Sequence, residues 1–138
     1  MIKLDKDALI DRFRVQWASL RPTVPVAWEN APAIDPAPTG PYVAYFIRPG
    51  RYRRQYVGDG PGWYHGQGRV LVQVFTPKES ETATADLFCD DIVTIYRRWR
   101  SADLAVRMEG DAEPVVVPGD PNFHQVNVSL PYTSWRWL

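Results

Sequence analysis

The sequence has few of the residues from which cross-links and metal centres are built. Its 138 residues include one cysteine, Cys89, and two histidines, His65 and His124. A single cysteine excludes an internal disulfide framework and a cysteine-rich zinc site, and it suits a reducing compartment such as the cytoplasm. The two histidines lack the close spacing of metal-ligand motifs. We therefore expect no metal and no cofactor.

The sequence also lacks an excess of either charge. Sixteen basic residues balance sixteen acidic ones, so no overall field would hold the chain on nucleic acid or on an anionic membrane. No apolar run approaches the roughly 18 residues of a spanning helix. The first residues lack the basic start and apolar core of a signal peptide. These absences predict a soluble protein with no membrane partner and no visible export signal.

Catalytic patterns are equally scarce. A nucleophilic pair of Cys89 with His65 or His124 would rest only on the presence of both residue types. Asp90 and Asp91 are neighbours on a predicted helix, where they point about 100° apart and do not converge. The glycine-containing word "GDGPG" lacks the Lys and Ser/Thr of a phosphate loop. We predict no catalytic residue and no enzymatic activity.

Helical spacing is clear near the start of the chain. An apolar stripe with spacings of three or four predicts an amphipathic helix, which Pro22 ends. The stripe consists of Leu9, Phe13, Trp17 and Leu20. Between residues 21 and 41, six prolines exclude a second long helix and favour an extended path with one short strand from Val26 to Trp28. Trp28 fits a core position better than an anchor between subunits.

A second helix is predicted after the apolar word "VLVQVF". Thr76 would be its N-cap, with Pro77 at the first helical position and Glu79 three residues after the cap, and Ser80 is an alternative start. The apolar stripe that follows runs to about Ala102. Its members are Ala85, Phe88, Ile92, Ile95 or Tyr96, and Trp99.

Five further segments have the composition of strands. In the last of them Val126, Val128 and Leu130 alternate with Gln125, Asn127 and Ser129, which predicts one covered face and one polar face. Strands separated by a helix indicate a single α+β domain over residues 1–138, with two amphipathic helices packed on a mostly antiparallel sheet. The strand segments are "YVAYFIRP", "GRVLVQVFTP", "LAVRMEG", "EPVVVPG" and "NFHQVNVSLPY".

A long hairpin loop is predicted between the first two long strands. The segment "GRYRRQYVGDGPGWYHGQG" has six glycines and a proline, and its basic, aromatic part covers residues 51–64. Arginine and aromatic side chains are typical of protein interfaces, and they also stack on bases. With zero net charge we favour a protein partner and keep nucleic acid as the alternative. The candidate interface residues are Arg51, Tyr52, Arg53, Arg54, Tyr56, Trp63 and Tyr64.

The last residues, 134–138, are predicted to form a C-terminal tail. Trp135, Trp137 and Leu138 lie where most domains carry polar, frayed residues, so their side chains need a cover. Either the protein's own sheet or a neighbouring copy would supply it. Trp135 and Trp137 therefore join the candidate interface.

Several short words occur in a recognisable order along the chain: "VAWEN" with "AP" after it, "PYVAYFI", "GRVLVQVFTPKESETATADLFCDDIV" and "HQVNVSLPY". Through these words the chain resembles, over residues 3–133, the tail-terminator and minor-tail-protein family of long-tailed bacteriophages and related gene transfer agents. The segment at 51–64 and the added "TSWRWL" depart from the family pattern.

The resemblance implies a structural virion protein without catalysis. Such a subunit forms a hexameric ring at the head-proximal end of the tail tube, where it stops tube polymerisation and takes part in head-tail joining. Its partners would be further copies, the tail tube protein and the head-tail connector or stopper, with DNA passing through the lumen unbound. It would be assembled in the host cytoplasm. The alternatives are another neck or minor tail component, or a nucleic-acid-binding module.

Overall fold

The protein consists of two helices and six strands over the residues that the computed structural model describes, 1–79 and 82–138. The predicted α+β class is confirmed. In chain order the elements are α1 (Ile2–Leu20), β1 (Val26–Trp28), β2 (Tyr42–Arg54), β3 (Trp63–Pro77), α2 (Thr82–Tyr96), β4 (Val106–Met108), β5 (Glu113–Val117) and β6 (Phe123–Trp137).

The strands form one open sheet in the order β1-β2-β3-β6-β4, and β5 also pairs with β6. The short β1 runs parallel to β2, whereas every other described pair is antiparallel. The strand predicted from Val26 to Trp28 is confirmed with those bounds. β3 and β6 pair along their whole length, from Trp63 opposite Trp137 to Pro77 opposite Phe123. They are therefore the centre of the sheet.

Both helices cover the same face of the sheet. The α1 stripe is confirmed for Leu9, Phe13 and Trp17, which are buried, but Leu20 is exposed in the last turn. The helices run antiparallel, because the Tyr96 hydroxyl in α2 donates to the Leu9 carbonyl at 2.7 Å while Arg21, after α1, pairs with Asp91. The core lies between the two helices and the alternate residues of β2, β3 and β6.

The second helix differs from its prediction at both ends. Thr76, the predicted N-cap, lies in β3 opposite His124 and is buried, because it continues the inward alternation of that strand. The alternative start, Ser80, lies outside the described residues. The helix ends at Tyr96, and Arg98 just beyond it has a positive φ of 55°, which does not continue a right-handed helix. Trp99 still packs against the core from that turn.

The predictions of a long loop over residues 51–64 and of a separate C-terminal tail are wrong. Regular pairing continues to Arg54 opposite Tyr64, so only residues 55–62 connect β2 to β3. An irregularity between Pro49 and Tyr52 interrupts the register once. Most of residues 134–138 belong to β6, which pairs with β3 as far as Trp137. The predicted loop and the predicted tail are therefore largely parts of adjacent strands.

The proline-rich segment begins with a fixed turn. Trp28 lies 5.4 Å from the Tyr45 ring and 6.0 Å from the Phe13 ring, as expected for a tryptophan that packs on the core. Glu29 accepts the backbone N–H of Ile47 and pairs with Arg48 at 2.9 Å. The word "WEN" therefore closes part of the free edge of β2 where β1 ends.

Neither of the two described helices packs on the far face of the sheet. Gln125, Asn127 and Ser129 lie on this face and are partly exposed, whereas Val126 and Val128 are buried on the other, as the alternation predicted. We call this far side the open face. Within the described residues, neither helix is long and apolar enough to cross a bilayer.

Candidate functional site

The candidate interface residues all lie at one end of the sheet, where β2 and β3 meet the end of β6. Trp63 is opposite Trp137, and His65 lies between Arg53 on β2 and Trp135 on β6. The structure thus brings together two groups of residues that are about 70 positions apart in the sequence. We call this end of the sheet, residues 51–67 with 134–138, the tip.

Strand alternation divides these residues between the two faces of the tip. Successive side chains of a strand point to opposite faces, and residues opposite each other in a ladder share a face. Tyr52, Arg54 and Tyr64 face the helix side, and Tyr56 packs with Tyr64 there. We call the other side the tip face. It consists of Arg51, Arg53, Gln55, Trp63, His65, Trp135 and Trp137.

The tip face is an aromatic surface with arginines beside it. The rings of Trp63 and Trp137 meet edge to face with centroids 5.7 Å apart, and His65 stacks on Trp135 at 4.3 Å. All three tryptophans remain partly exposed: Trp63 is 49% exposed, Trp137 is 59% exposed and Trp135 is 41% exposed. An open depression of about 430 Å³ lies between Trp63, Trp135 and Gln55. Paired across strands, these rings form a surface that is ordered before any partner arrives.

On the helix side, the aromatic residues hold the connection between the strands. Tyr56 donates to the Gly60 carbonyl at 2.5 Å, and its ring lies 5.9 Å from Tyr64 and under the Arg54 guanidinium. A Cβ on Gly62 would come within 2.2 Å of the Tyr56 ring, so that position requires glycine. These contacts stabilise the connection between β2 and β3. The tip face makes no such contacts and is the surface that a partner could bind.

Tyr52 belongs to a buried polar cluster. Its hydroxyl donates to Asp5 at 3.0 Å, and the same carboxylate accepts hydrogen bonds from Ser134 at 2.9 Å and from Arg136 Nε at 2.8 Å. Asp5 is fully buried in the first turn of α1, and the Arg136 side chain is 9% exposed. Burial, with Tyr132 and Asp5 nearby, raises the pKa of Tyr52 well above its usual value. The cluster fixes the tip to α1.

The sequence reasoning missed Asp5, Ser134 and Arg136. Asp5 has the ordinary position of a carboxylate near a helix start, where the macrodipole favours negative charge. Arg136 alternates with two tryptophans and has the pattern of an exposed strand residue. Their partners are 129 and 131 positions apart in the chain. The one local sign of the cluster is Asp5 itself, an acidic residue at the helical spacing of the apolar stripe that contains Leu9 and Phe13.

Arg136 also binds Asp103, and this pair leads to a prediction for low pH. Hydrogen bonds from Ser101 first and Arg136 second lower the pKa of Asp103 from 3.8 to about 2. The folded-state pKa is below the unfolded one, so the stabilising contribution is complete above about pH 4 and is lost as pH falls through about 2. We expect a carboxyl NMR titration of Asp103 with its midpoint near pH 2.

A variant identifies the cause of that low pKa. Arg136→Gln removes one of the two leading partners and keeps Ser101, so the midpoint of Asp103 should rise part of the way towards its usual value. A midpoint unchanged by the substitution would contradict the contact.

The residues considered for catalysis do not converge. His65 is at the tip, while His124 pairs with Thr76 at the other end of β3, roughly 35 Å along the strand. Burial, with Asp86 and Asp90 adding to it, raises the pKa of Cys89 to about 11, so its thiol stays protonated near neutral pH. Asp91 is engaged by Arg21, and Asp90 is exposed. Among the described residues no group of three His, Cys, Asp or Glu could hold a metal ion.

Comparison with known proteins shows the fold alone. No protein-family model and no curated protein sequence matches this chain. A solved structure, of a protein whose name states no function, superposes with a TM-score of 0.76 over 97% of this chain and 95% of its own length, at 23% sequence identity. The α+β architecture therefore recurs in a second protein of nearly the same extent.

Proposed function

We propose that this protein is a structural subunit of a phage-like tail, a tail terminator without catalytic activity. Its copies would form a ring, expected to be hexameric, on the head-proximal end of the tail tube. The ring would stop tube polymerisation and offer a surface to the head connector or stopper, with DNA passing through unbound. The ordered resemblance over residues 3–133 is the starting point. The observation that carries the proposal is an open sheet with two different edges.

One edge of the sheet is the short parallel β1, and the other is formed by β4 and β5 along β6. On β5 the neighbouring Val115 and Val116 are both exposed, so this edge offers apolar side chains as well as backbone groups. Unprotected edges pair readily with other chains. Because the two edges differ, copies joined edge to edge make a heterologous contact, which closes into a ring when the rotation allows.

The words that carry the resemblance support a role in building the subunit. "VAWEN" supplies β1, the packed Trp28 and the Glu29 contacts to β2. In "SLPY", Leu130 is a core residue and Tyr132 reaches the Tyr52 hydroxyl at 3.2 Å. These residues act on packing and strand position, as expected of a protein that works through the shape of its surfaces.

The tip is the proposed contact with a partner. It carries all nine residues of the predicted interface, and five of them, Arg51, Arg53, Trp63, Trp135 and Trp137, lie on the tip face. Exposed tryptophan and arginine are the residue types that dominate binding energy at protein interfaces. A subunit of this size would bury roughly 800 Å² or more per partner in a stable ring. Weaker contacts would leave free copies monomeric until the tube collects them.

Deleting the gene from the genome that encodes the particle tests the proposal. Without a terminator, tube growth has no defined end and heads have no surface to join, so electron micrographs should show overlong tails and unattached heads. Supplying the protein from a plasmid is the control and should restore tails of one length. Tails of ordinary length attached to heads in the deletion strain would refute the proposal. Another neck component would leave tail length normal and disturb joining alone.

Nucleic-acid binding remains the second candidate, because three tryptophans and two arginines share the tip face. Bases stack on aromatic side chains, and arginines contact phosphates. Retention of a single-stranded oligonucleotide that falls steeply with salt, and that is lost in Trp135→Ala with Trp137→Ala, would favour this function over the ring.

A further inference from the structure

The zero net charge of the chain conceals a separation of charge. Residues 48–69 contain five arginines and one aspartate, while residues 79–96 contain five acidic residues and no basic one. Charge patterns of this kind act through local fields, even when the sum is zero. The fold decides whether the two segments can meet within one molecule.

The two segments lie at opposite ends of the molecule. β3 begins at the tip with Trp63, and its 15 residues extend roughly 45 Å before the chain turns towards α2. The middle of α2 packs near the end of α1, where Arg21 contacts Asp91 and Phe88, and the residues before Phe88 lie still further from the start of α1 because the helices are antiparallel. The start of α1 holds the tip through Asp5. The acidic part of α2 therefore cannot reach the tip of its own chain.

The basic end has charges without partners. Arg51 and Arg53 lie on the tip face, and neither takes part in the ion pairs found within the described part of the chain. They flank exposed tryptophans, which are large apolar groups in need of a cover. The tip face is thus an apolar centre with two free positive charges.

The exposed surface of α2 carries an apolar residue flanked by negative charges. Asp86 and Asp90 are exposed one helical turn apart, and Leu87 between them is 54% exposed. Neither carboxylate takes part in an ion pair of the described residues. An exposed leucine with two free negative charges complements the tip face, because each surface has an apolar centre and their charges have opposite signs. We call this surface the α2 face.

We propose that the tip face of one copy docks on the α2 face of a second copy. Complementary charges at interfaces steer encounter and fix register, and here they select another copy of the same chain as the occupant. The contact is heterologous, so a docked pair keeps one free tip face, on one copy, and one free α2 face, on the other, for the next copies. The inference does not rest on the proposed tail function, because head-to-tail contact follows from the two surfaces alone.

Charge reversal with mixing tests the contact. Sedimentation of the wild-type protein should show association that rises with concentration and weakens between about 50 mM and 500 mM salt. The variants Arg51→Glu/Arg53→Glu and Asp86→Lys/Asp90→Lys each place like charges opposite each other, so each alone should associate at least about tenfold more weakly. When the two variants are mixed in equal amounts, the acidic tip face of the first can dock on the basic α2 face of the second, and the basic tip face of the second on the acidic α2 face of the first. Opposite charges then meet at each contact between the two variants, and association should return.

The control carries an equal change of charge elsewhere. Arg97→Glu/Arg98→Glu alters two exposed arginines outside both surfaces and should associate as the wild type does. All four tested side chains are exposed, and circular dichroism would verify that each variant is folded. A wild-type protein that stays monomeric at low salt, or a mixture that fails to recover, would overturn the inference. Loss of oligonucleotide binding in the Arg variant with unchanged self-association would assign the tip face to nucleic acid.

Discussion

The variant Asp5→Ala should lose about 3–5 kcal/mol of its free energy of unfolding, a large share of the stability of a small domain. The carboxylate is fully buried and accepts hydrogen bonds from Tyr52, Ser134 and Arg136. Its removal leaves the Arg136 guanidinium in a buried place with one negative partner fewer, and it leaves two hydroxyls without their acceptor. Urea unfolding at neutral pH measures the change.

The matched control is Asp7→Ala, two residues further along α1. Asp7 pairs with Lys3 on the surface, with side chains 50% and 86% exposed, and such pairs contribute about 0–1 kcal/mol. Both substitutions remove one carboxylate from the same helix, so a common effect on helix propensity or dipole cancels between them. An Asp5→Ala protein as stable as Asp7→Ala would mean that the buried cluster does not form.

The cluster matters for function because it determines how rigid the tip is. Three long strands extend to this end, and without an attachment their ends would fray. The ion pair of Asp5 with Arg136 joins the end of β6 to α1, and a second ion pair joins Arg136 to Asp103 in the loop before β4. The backbone of the tip therefore does not need to be ordered on binding, which lowers the entropic cost of any contact there.

The fold was largely predictable because its core obeys local periodicity. Leu9, Phe13 and Trp17 at helical spacing, and Val126 and Val128 at strand spacing, are buried where their patterns place them. Both patterns arise from burying one side of an element, so they are visible in a short window. The α+β class follows from the order of the elements alone.

The tip could not be predicted in the same way, because its strands are stabilised by distant partners. The glycines at 66 and 68 indicated a loop by local rules, yet both pair regularly with β6. Their missing side chains make room for Tyr52 and Tyr132, which lie on other strands. Likewise Trp135 and Trp137 have the sequence pattern of a tail, because their partners on β3 are about 70 residues away. Glycine for close packing and glycine for flexibility look alike in a sequence.

A glycine series distinguishes these two roles. In Gly66→Ala the new Cβ would lie 2.3 Å from the Tyr52 ring, and in Gly68→Ala it would lie 2.6 Å from the Tyr132 hydroxyl and 2.7 Å from the Arg48 carbonyl oxygen. Neither tyrosine can move freely, since their hydroxyls are hydrogen-bonded to each other and Tyr52 also to Asp5. Each variant should lose about 2–3 kcal/mol in urea unfolding.

Gly40→Ala is the control, because a Cβ there meets nothing within 4 Å and should leave stability unchanged or raise it slightly. If residues 50–68 were a flexible loop, Gly66→Ala would behave like Gly40→Ala. The stronger test combines Gly66→Ala with Tyr52→Ala. Removing the ring removes the clash, so the double variant should be clearly more stable than the sum of the single losses predicts. Strict additivity would mean that Tyr52 does not lie over Gly66, and the register that builds the tip face would then be wrong.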